Sequence, residues 1–165
     1  MCGICGLATA TPGELPGALL EAMCRTIVHR GPDDQGIHLG RSAALGARRL
    51  SIIDVAGGHQ PLSNENGSVW AAHNGEIYNF PELRDGLIAR GHRFATRTDT
   101  ETLVHGYEEW GRDFVHKPRG MFAFAIADER DGTLLLVRDR LGIKPLYFLR
   151  QGEEQFEVLA VAERA

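Results

Sequence analysis

The sequence predicts an α+β fold of many short, mostly antiparallel strands and a few separate helices. Three observations predict it. Short apolar runs rich in β-forming residues recur between Gly- and Pro-marked turns. Only three stretches carry the 3.6-residue apolar period of an amphipathic helix. The helical stretches do not alternate regularly with the strand-like ones, as a parallel βαβ architecture requires. At 165 residues, the chain suits a single domain, 1–165, with a core large enough to need no disulfide support.

The elements follow in order. "CGICGLAT" is a small, apolar run read as a buried strand. "TATPGELPG" is a turn between elements rather than a domain boundary. From Leu15, the positions Leu19, Leu20, Met23, Cys24, Ile27 and Val28 form a helical stripe, and Gly31-Pro32 stops it. Strand-like segments follow at 43–53 and 69–78. A second helix opens at "NFPEL", where Asn79 and Glu82 have capping-box spacing and Pro81 sits in the first turn. It runs through Leu83, Leu87 and Ile88 to Gly91. A third opens near Thr98 and Glu101, again at capping-box spacing, and ends at Gly111. "GMFAFAIAD", "TLLLVRD" and "PLYFLR" read as consecutive strands, and "EQFEVLAVAERA" as a last one.

Composition narrows the function. Lys plus Arg is 18 and Asp plus Glu is 22, a net charge of −4, so there is no electrostatic footprint for nucleic acid or an anionic membrane. No signal peptide and no membrane-spanning apolar run is evident. Three cysteines are too few for a disulfide scaffold, and a reduced, cytoplasmic setting is expected.

The opening "MCGICG" raises the sharpest chemical question. Strand residues three apart point to opposite faces, so Cys2 and Cys5 should not meet as a redox pair. Zinc sites take four ligands from paired motifs, and the histidines show no H-x3-5-H spacing, so no metal is expected. Cys2 is then a buried core thiol, the commoner fate of free cysteine, or a nucleophile. Position 2 favours the second. Loss of Met1 would place a free α-amine beside the thiol. Such amines titrate near roughly 7.7–8.0 and free thiols near roughly 8.5, so moving the proton from sulfur to nitrogen costs about 1 kcal/mol. One residue then carries nucleophile and base. With Met1 retained, that nitrogen is an amide without basicity.

Three further stretches are ambiguous singly. Asn74-Gly75 in "HNGEIYN" is a strong hairpin-turn signal, the reading favoured in isolation, or a pair of oxyanion donors. Asp99 in "TDTE" serves a helix dipole or a substrate ammonium. Arg49 in "ARRLSI" is a solvated strand-end cation or a bidentate carboxylate clamp. Together they describe a pocket for an α-amino acid whose side-chain carbonyl is attacked.

The stretches "MCGICG", "HRGPDDQG", "RLSIIDVAGGHQPL", "NGEIYNF", "TDTE", "GMFAFAIAD" and "RDRLGIKPLYF" cover nearly the whole chain. In them, the sequence closely resembles the N-terminal glutaminase domain of glutamine-hydrolysing asparagine synthetases, a class II, N-terminal-nucleophile glutamine amidotransferase. The resemblance implies a four-layer αββα sandwich of two mainly antiparallel sheets. It implies Cys2 as nucleophile with its own amine as base, Asn74 and Gly75 as the oxyanion hole, and Arg49 on the glutamine carboxylate. Asp99 and Glu76 would hold the ammonium, Leu50, Ile52 and Ile53 would line the pocket, and Arg30 would support the Cys2 region from behind. The reaction implied is hydrolysis of L-glutamine to glutamate and ammonia through a γ-glutamyl thioester, with no cofactor.

ATP and Mg would belong to a synthetase half, whose Ser-Gly-Gly phosphate loop this sequence lacks. The expectation is therefore a domain without its synthetase half: part of a longer protein, a truncated product, or a stand-alone subunit with an ATP-dependent partner. Two departures stand out. Ala127 replaces the family's usual Trp, and "LAVAE" replaces its usual Phe-Ala-Ser-Glu; both are expected to alter the face that meets a synthetase domain. Two other functions fit the same residues: an amide hydrolase that removes γ-glutamyl or acyl groups from another substrate, and a degenerate, non-catalytic partner that keeps Met1.

Overall fold

A computed structural model describes residues 2–9, 13–50, 57–150 and 157–160. Strand β1 is Gly3–Ala8, helix α1 Gly17–Thr26, β2 Asp34–Leu39, β3 Ala43–Arg49, β4 Leu62–Ser63 and β5 Val69–Ile77. Helices α2, Phe80–Ile88, and α3, Glu101–Trp110, precede β6 Gly120–Asp128, β7 Thr133–Arg138, β8 Tyr147–Arg150 and β9 Glu157–Ala160. The strands form two antiparallel sheets, β2-β3-β1-β9-β8 and β4-β5-β6-β7.

Strand alternation sorts the apolar residues into three layers. Cys5, Leu7 and Ala44 face α1 and pack on Leu20, Cys24 and Ile27. Ile4, Ala8, Ala43 and Leu45 face the other sheet and meet Ala72, Ala125 and Ala127. Val69, Ala71, Ile77, Phe122, Phe124 and Ile126 face outward again and pack on Leu103, Val104 and Tyr107 of α3. The order is helix, sheet, sheet, helix, the four-layer αββα sandwich expected.

Several local readings need correction. The α1 stripe is narrower than predicted, because Leu19 and Val28 are exposed and the helix gives way to a 3-10 turn at Val28–Arg30. Neither predicted capping box forms. Asn79 makes no cap bond; its side chain donates to the Lys117 carbonyl and accepts from Arg119 N–H instead. The Glu101 carboxylate accepts from the Ala95 and Thr96 N–H groups, and so ties the α2–α3 connection to the start of α3. Ala127 is not on an outer face: it lies buried in the layer between the sheets, paired with Trp70. The "LAVAE" departure falls largely outside the described residues. Among the described residues, no helix is long and apolar enough to cross a membrane.

Candidate functional site

The site forms where an end of each sheet meets. Gly3 pairs with Arg48, so Cys2 lies one step beyond, beside Arg49. Its Sγ is 4.0 Å from the Leu50 carbonyl oxygen. Cys5 goes the other way, into the α1 layer, where its sulfur is 3.5 Å from that of Cys24. That hydrogen bond, and burial after it, push the Cys5 thiol up, which keeps it protonated and inert.

Close glycine packing shapes this end of the first sheet. A side chain at Gly31 would collide with the backbone of Arg48 and Arg49, so "HRG" can lie flat on the end of β3 only with glycine there. Arg48 Nε donates to the Gly31 carbonyl at 2.9 Å and fixes the approach. A Cβ built on Gly3 would sit 3.0 Å from that of Arg30, so the Arg30 stem covers the residue after Cys2 and supports it from outside the cleft.

The second sheet supplies β5. The hairpin reading of Asn74-Gly75 is overturned: β5 runs unbroken through both residues and pairs with β6 along its whole length. Gly75 has φ +151°, and a side chain there would collide with the Met121 carbonyl. Glycine is thus required by conformation and by close approach to β6. Asn74 is fully buried, and its side-chain amide has no hydrogen-bond partner among the described residues.

Asp99 lies two residues ahead of α3, not in its first turn as expected. Its Oδ2 accepts the Ile77 N–H at 3.0 Å and lies 3.9 Å from His73 Nδ1. Burial pushes the His73 pKa down despite Asp99, so His73 is neutral. Gln60 bridges the two elements: its Oε1 accepts the His73 N–H at 2.7 Å, and its Nε2 donates to Thr100 Oγ1 at 3.2 Å. Further along, the buried Asp139 carboxylate gathers the N–H groups of Phe122, Leu141, Ile143 and Lys144. Burial raises its pKa, the four amides lower it, and the amides prevail, so it stays ionised. This wraps "RDRLGIK" into a loop that carries the 3% exposed Lys144 to the site.

Together these elements enclose one cleft of about 180 Å³. Cys2, Arg49, Leu50, Gly75, Glu76 and Asp99, all named from sequence, border it. Asn74 is next to Gly75 but does not itself line it, and Ile52 and Ile53 lie outside the described residues. Gln60, His73 and Lys144 line the cleft but were not anticipated. Gln60 and Lys144 fall within the matched stretches "GGHQPL" and "GIKPL", yet neither spacing carries a motif; only burial reveals them. The cleft thus offers a thiol, two cations and two carboxylates. That set complements a zwitterion with a reactive side-chain carbonyl.

Comparison with known proteins gives a matching picture. A family model described as "Glutamine amidotransferase domain" matches residues 1–163. "Asparagine synthetase [glutamine-hydrolyzing] 2" of Bacillus subtilis (strain 168) is 44% identical over 151 residues, 90% of this chain and 20% of that protein. "Asparagine synthetase [glutamine-hydrolyzing] 2" of Oryza sativa subsp. japonica is 43% identical over 148 residues, 89% of this chain and 25% of that one. The chain thus spans a fifth to a quarter of the length of these relatives. A solved structure of glutamine phosphoribosylpyrophosphate amidotransferase from B. subtilis, with ADP and GMP, shares the fold at TM-score 0.74. It is 22% identical, and the match covers 97% of this chain and 42% of that one.

Proposed function

The chain belongs to the glutamine amidotransferase domain family, and from that premise we propose that it hydrolyses L-glutamine with Cys2 as the nucleophile. The observation that carries the reading is convergence: Cys2 and Arg49 from one sheet border the same cleft as Gly75, Glu76 and Asp99 from the other side. Arg49 takes the substrate α-carboxylate, and Asp99 with Glu76 takes the ammonium. The side-chain amide then points towards the Cys2 sulfur.

With Met1 removed, the Cys2 amine takes the thiol proton and the thiolate attacks the amide carbon. The Gly75 N–H at the cleft and the adjacent Asn74 side-chain amide, the latter without a hydrogen-bond partner among the described residues, are the oxyanion donors. The resulting ammonium returns its proton to the leaving nitrogen, and ammonia departs as the C–N bond breaks. Water, deprotonated by the same amine, attacks the γ-glutamyl thioester. The C–S bond breaks, glutamate leaves and the thiol is restored. These steps call on no metal or nucleotide.

The likeness to asparagine synthetases supports a second part of the proposal. The ammonia serves an ATP- and Mg-dependent amidation of aspartate on a synthetase half, in cis or in a partner. A reducing, cytoplasmic setting, which keeps Cys2 a free thiol, belongs to the same reading.

Cys2→Ala tests the core of it. Glutamate release should vanish while the melting curve stays within a few degrees of wild type. Intact mass should show loss of Met1, and a glutamine-shaped electrophile should add one adduct, mapped to Cys2. Hydrolysis that survives the substitution would overturn the proposal.

A further inference from the structure

One cluster lies outside the lining of the cleft and has no part in the proposed reaction. His92, in the turn after α2, meets His105 and Glu108 on one face of α3. One ligand atom from each lies within 4.8 Å of the others. Glu108 Oε2 is 3.2 Å from His105 Nδ1 and 3.9 Å from His92 Nδ1. Glu65 Oε2 approaches the same His105 Nδ1 to 4.0 Å. Tetrahedral zinc, with bonds of about 2.0–2.2 Å, sets its ligand atoms roughly 3.3–3.6 Å apart. Glu108 is within a few tenths of an ångström of that spacing from both imidazoles, and the two imidazole atoms already lie within 4.8 Å of each other.

The outward-facing atoms of the three residues are organised as well. His92 Nε2 contacts Glu109 Oε2 at 3.3 Å, and His105 Nε2 faces Glu101 Oε1 at 3.6 Å. Glu108 Oε1 accepts from Asn64 Nδ2 at 2.6 Å. A carboxylate near each imidazole and an amide behind the carboxylate are the kinds of partner that orient metal ligands, with Glu101 just beyond hydrogen-bond distance of His105 Nε2. His105 is 1% exposed, and its Nε2 makes no hydrogen bond among the described residues. Phe94 packs against that ring with centroids 4.6 Å apart and fixes its plane.

We propose that His92, His105 and Glu108 bind a divalent transition-metal ion, zinc foremost, with water or a swing of the exposed Glu65 side chain completing the shell. Two imidazoles with carboxylate oxygens suit zinc and its first-row neighbours over magnesium or calcium. The ion is structural. It ties the α2–α3 connection and the β4–β5 turn to α3, whose first residue, Glu101, lies two positions from Asp99. The sequence hid the site because His92 and His105 lie thirteen positions apart, far from an H-x3-5-H spacing. The site takes no part in glutamine hydrolysis, so it stands or falls separately from the proposed activity.

The test uses the full chain after dialysis against a chelator. Calorimetry should show about one equivalent of zinc bound, and zinc at a hundred times its Kd should raise Tm by roughly 5–10 °C. The cobalt-loaded protein should show visible ligand-field bands with no thiolate charge-transfer band, which excludes the cysteines. His92→Gln and Glu108→Gln should each weaken zinc binding by tenfold or more, on the order of a lost metal contact. The proposal is overturned if zinc changes neither heat nor Tm in the wild-type chain. It is overturned equally if both variants bind zinc as the wild type does, or if cobalt produces a thiolate band.

Discussion

Gly58→Ala should loosen glutamine binding by displacing Arg49, the residue proposed to hold the α-carboxylate, without replacing it. The Gly58 backbone lies against the buried Arg49 guanidinium. A Cβ there would overlap Arg49 Nη2, lie 2.7 Å from Cζ and lie 2.8 Å from Thr98 Cγ2. Ordinary carbon contacts begin near 3.5 Å, so the guanidinium must retreat by roughly 1 Å. A bidentate guanidinium–carboxylate pair tolerates no such shift. Its loss removes about 1.5–3 kcal/mol of binding, or roughly ten- to a hundred-fold in kcat/KM. The carboxylate sits far from the bond that breaks and is held equally before and during reaction, so the change should appear in KM and leave kcat near wild type. Overpacking costs the fold about 1–3 kcal/mol, which a urea melt reads separately. Glutamate release at varied glutamine concentration is the assay, with Arg49→Lys as the comparison. A Gly58→Ala enzyme with wild-type KM, or with reduced kcat at unchanged KM, would refute the placement of Arg49.

Other outcomes follow from the same geometry. Asp139→Ala should destabilise the fold by about 3 kcal/mol in a denaturant melt, because four N–H groups lose a charged acceptor. The Asp139 pKa is lowered in the fold, so its contribution is complete above the unfolded value near 4 and is lost as pH falls through the lower folded value. Asp139→Asn should therefore flatten the acid limb of stability against pH below about 4. Gln60→Ala should cost about 1–3 kcal/mol, read by the same melt, since the buried His73 N–H loses its acceptor. Gly46→Ala should cost about 1–3 kcal/mol as well, because a Cβ there would lie 2.5 Å from the Cys24 sulfur and 2.9 Å from that of Cys5.

Much of this architecture could be read from local pattern. "GMFAFAIAD" alternates between faces, and β6 occupies those residues. The α1 stripe worked because Leu20 and Cys24 recur one turn apart, whereas Leu19 and Val28 stand at its margins, where periodicity alone cannot choose a face. Local rules failed where distant partners intervened. Asn79 has cap spacing, but the carbonyl of Lys117 and the N–H of Arg119 claim it. Asn74-Gly75 has turn chemistry, but β6 pairs through it and turns a bend signal into mid-strand. The cleft's charged residues were legible as a set because their chemistry is complementary. Gln60 and Lys144 were not, since a buried bridge and a buried cation exist only once β5, the start of α3 and the Asp139 loop meet.

The layer between the two sheets is rich in alanine, with Ala8, Ala43, Ala72, Ala125 and Ala127 set beside Ile4 and Leu45. This layer helps set how far Cys2 stands from the β5 backbone, because those two walls belong to separate sheets joined across it. Bulk added at a single alanine there would press the walls apart and lengthen the reach from the Cys2 sulfur to the oxyanion donors proposed above. On the proposed mechanism, the spacing of the reacting groups thus depends in part on methyl groups, and tuning it need not involve a polar residue.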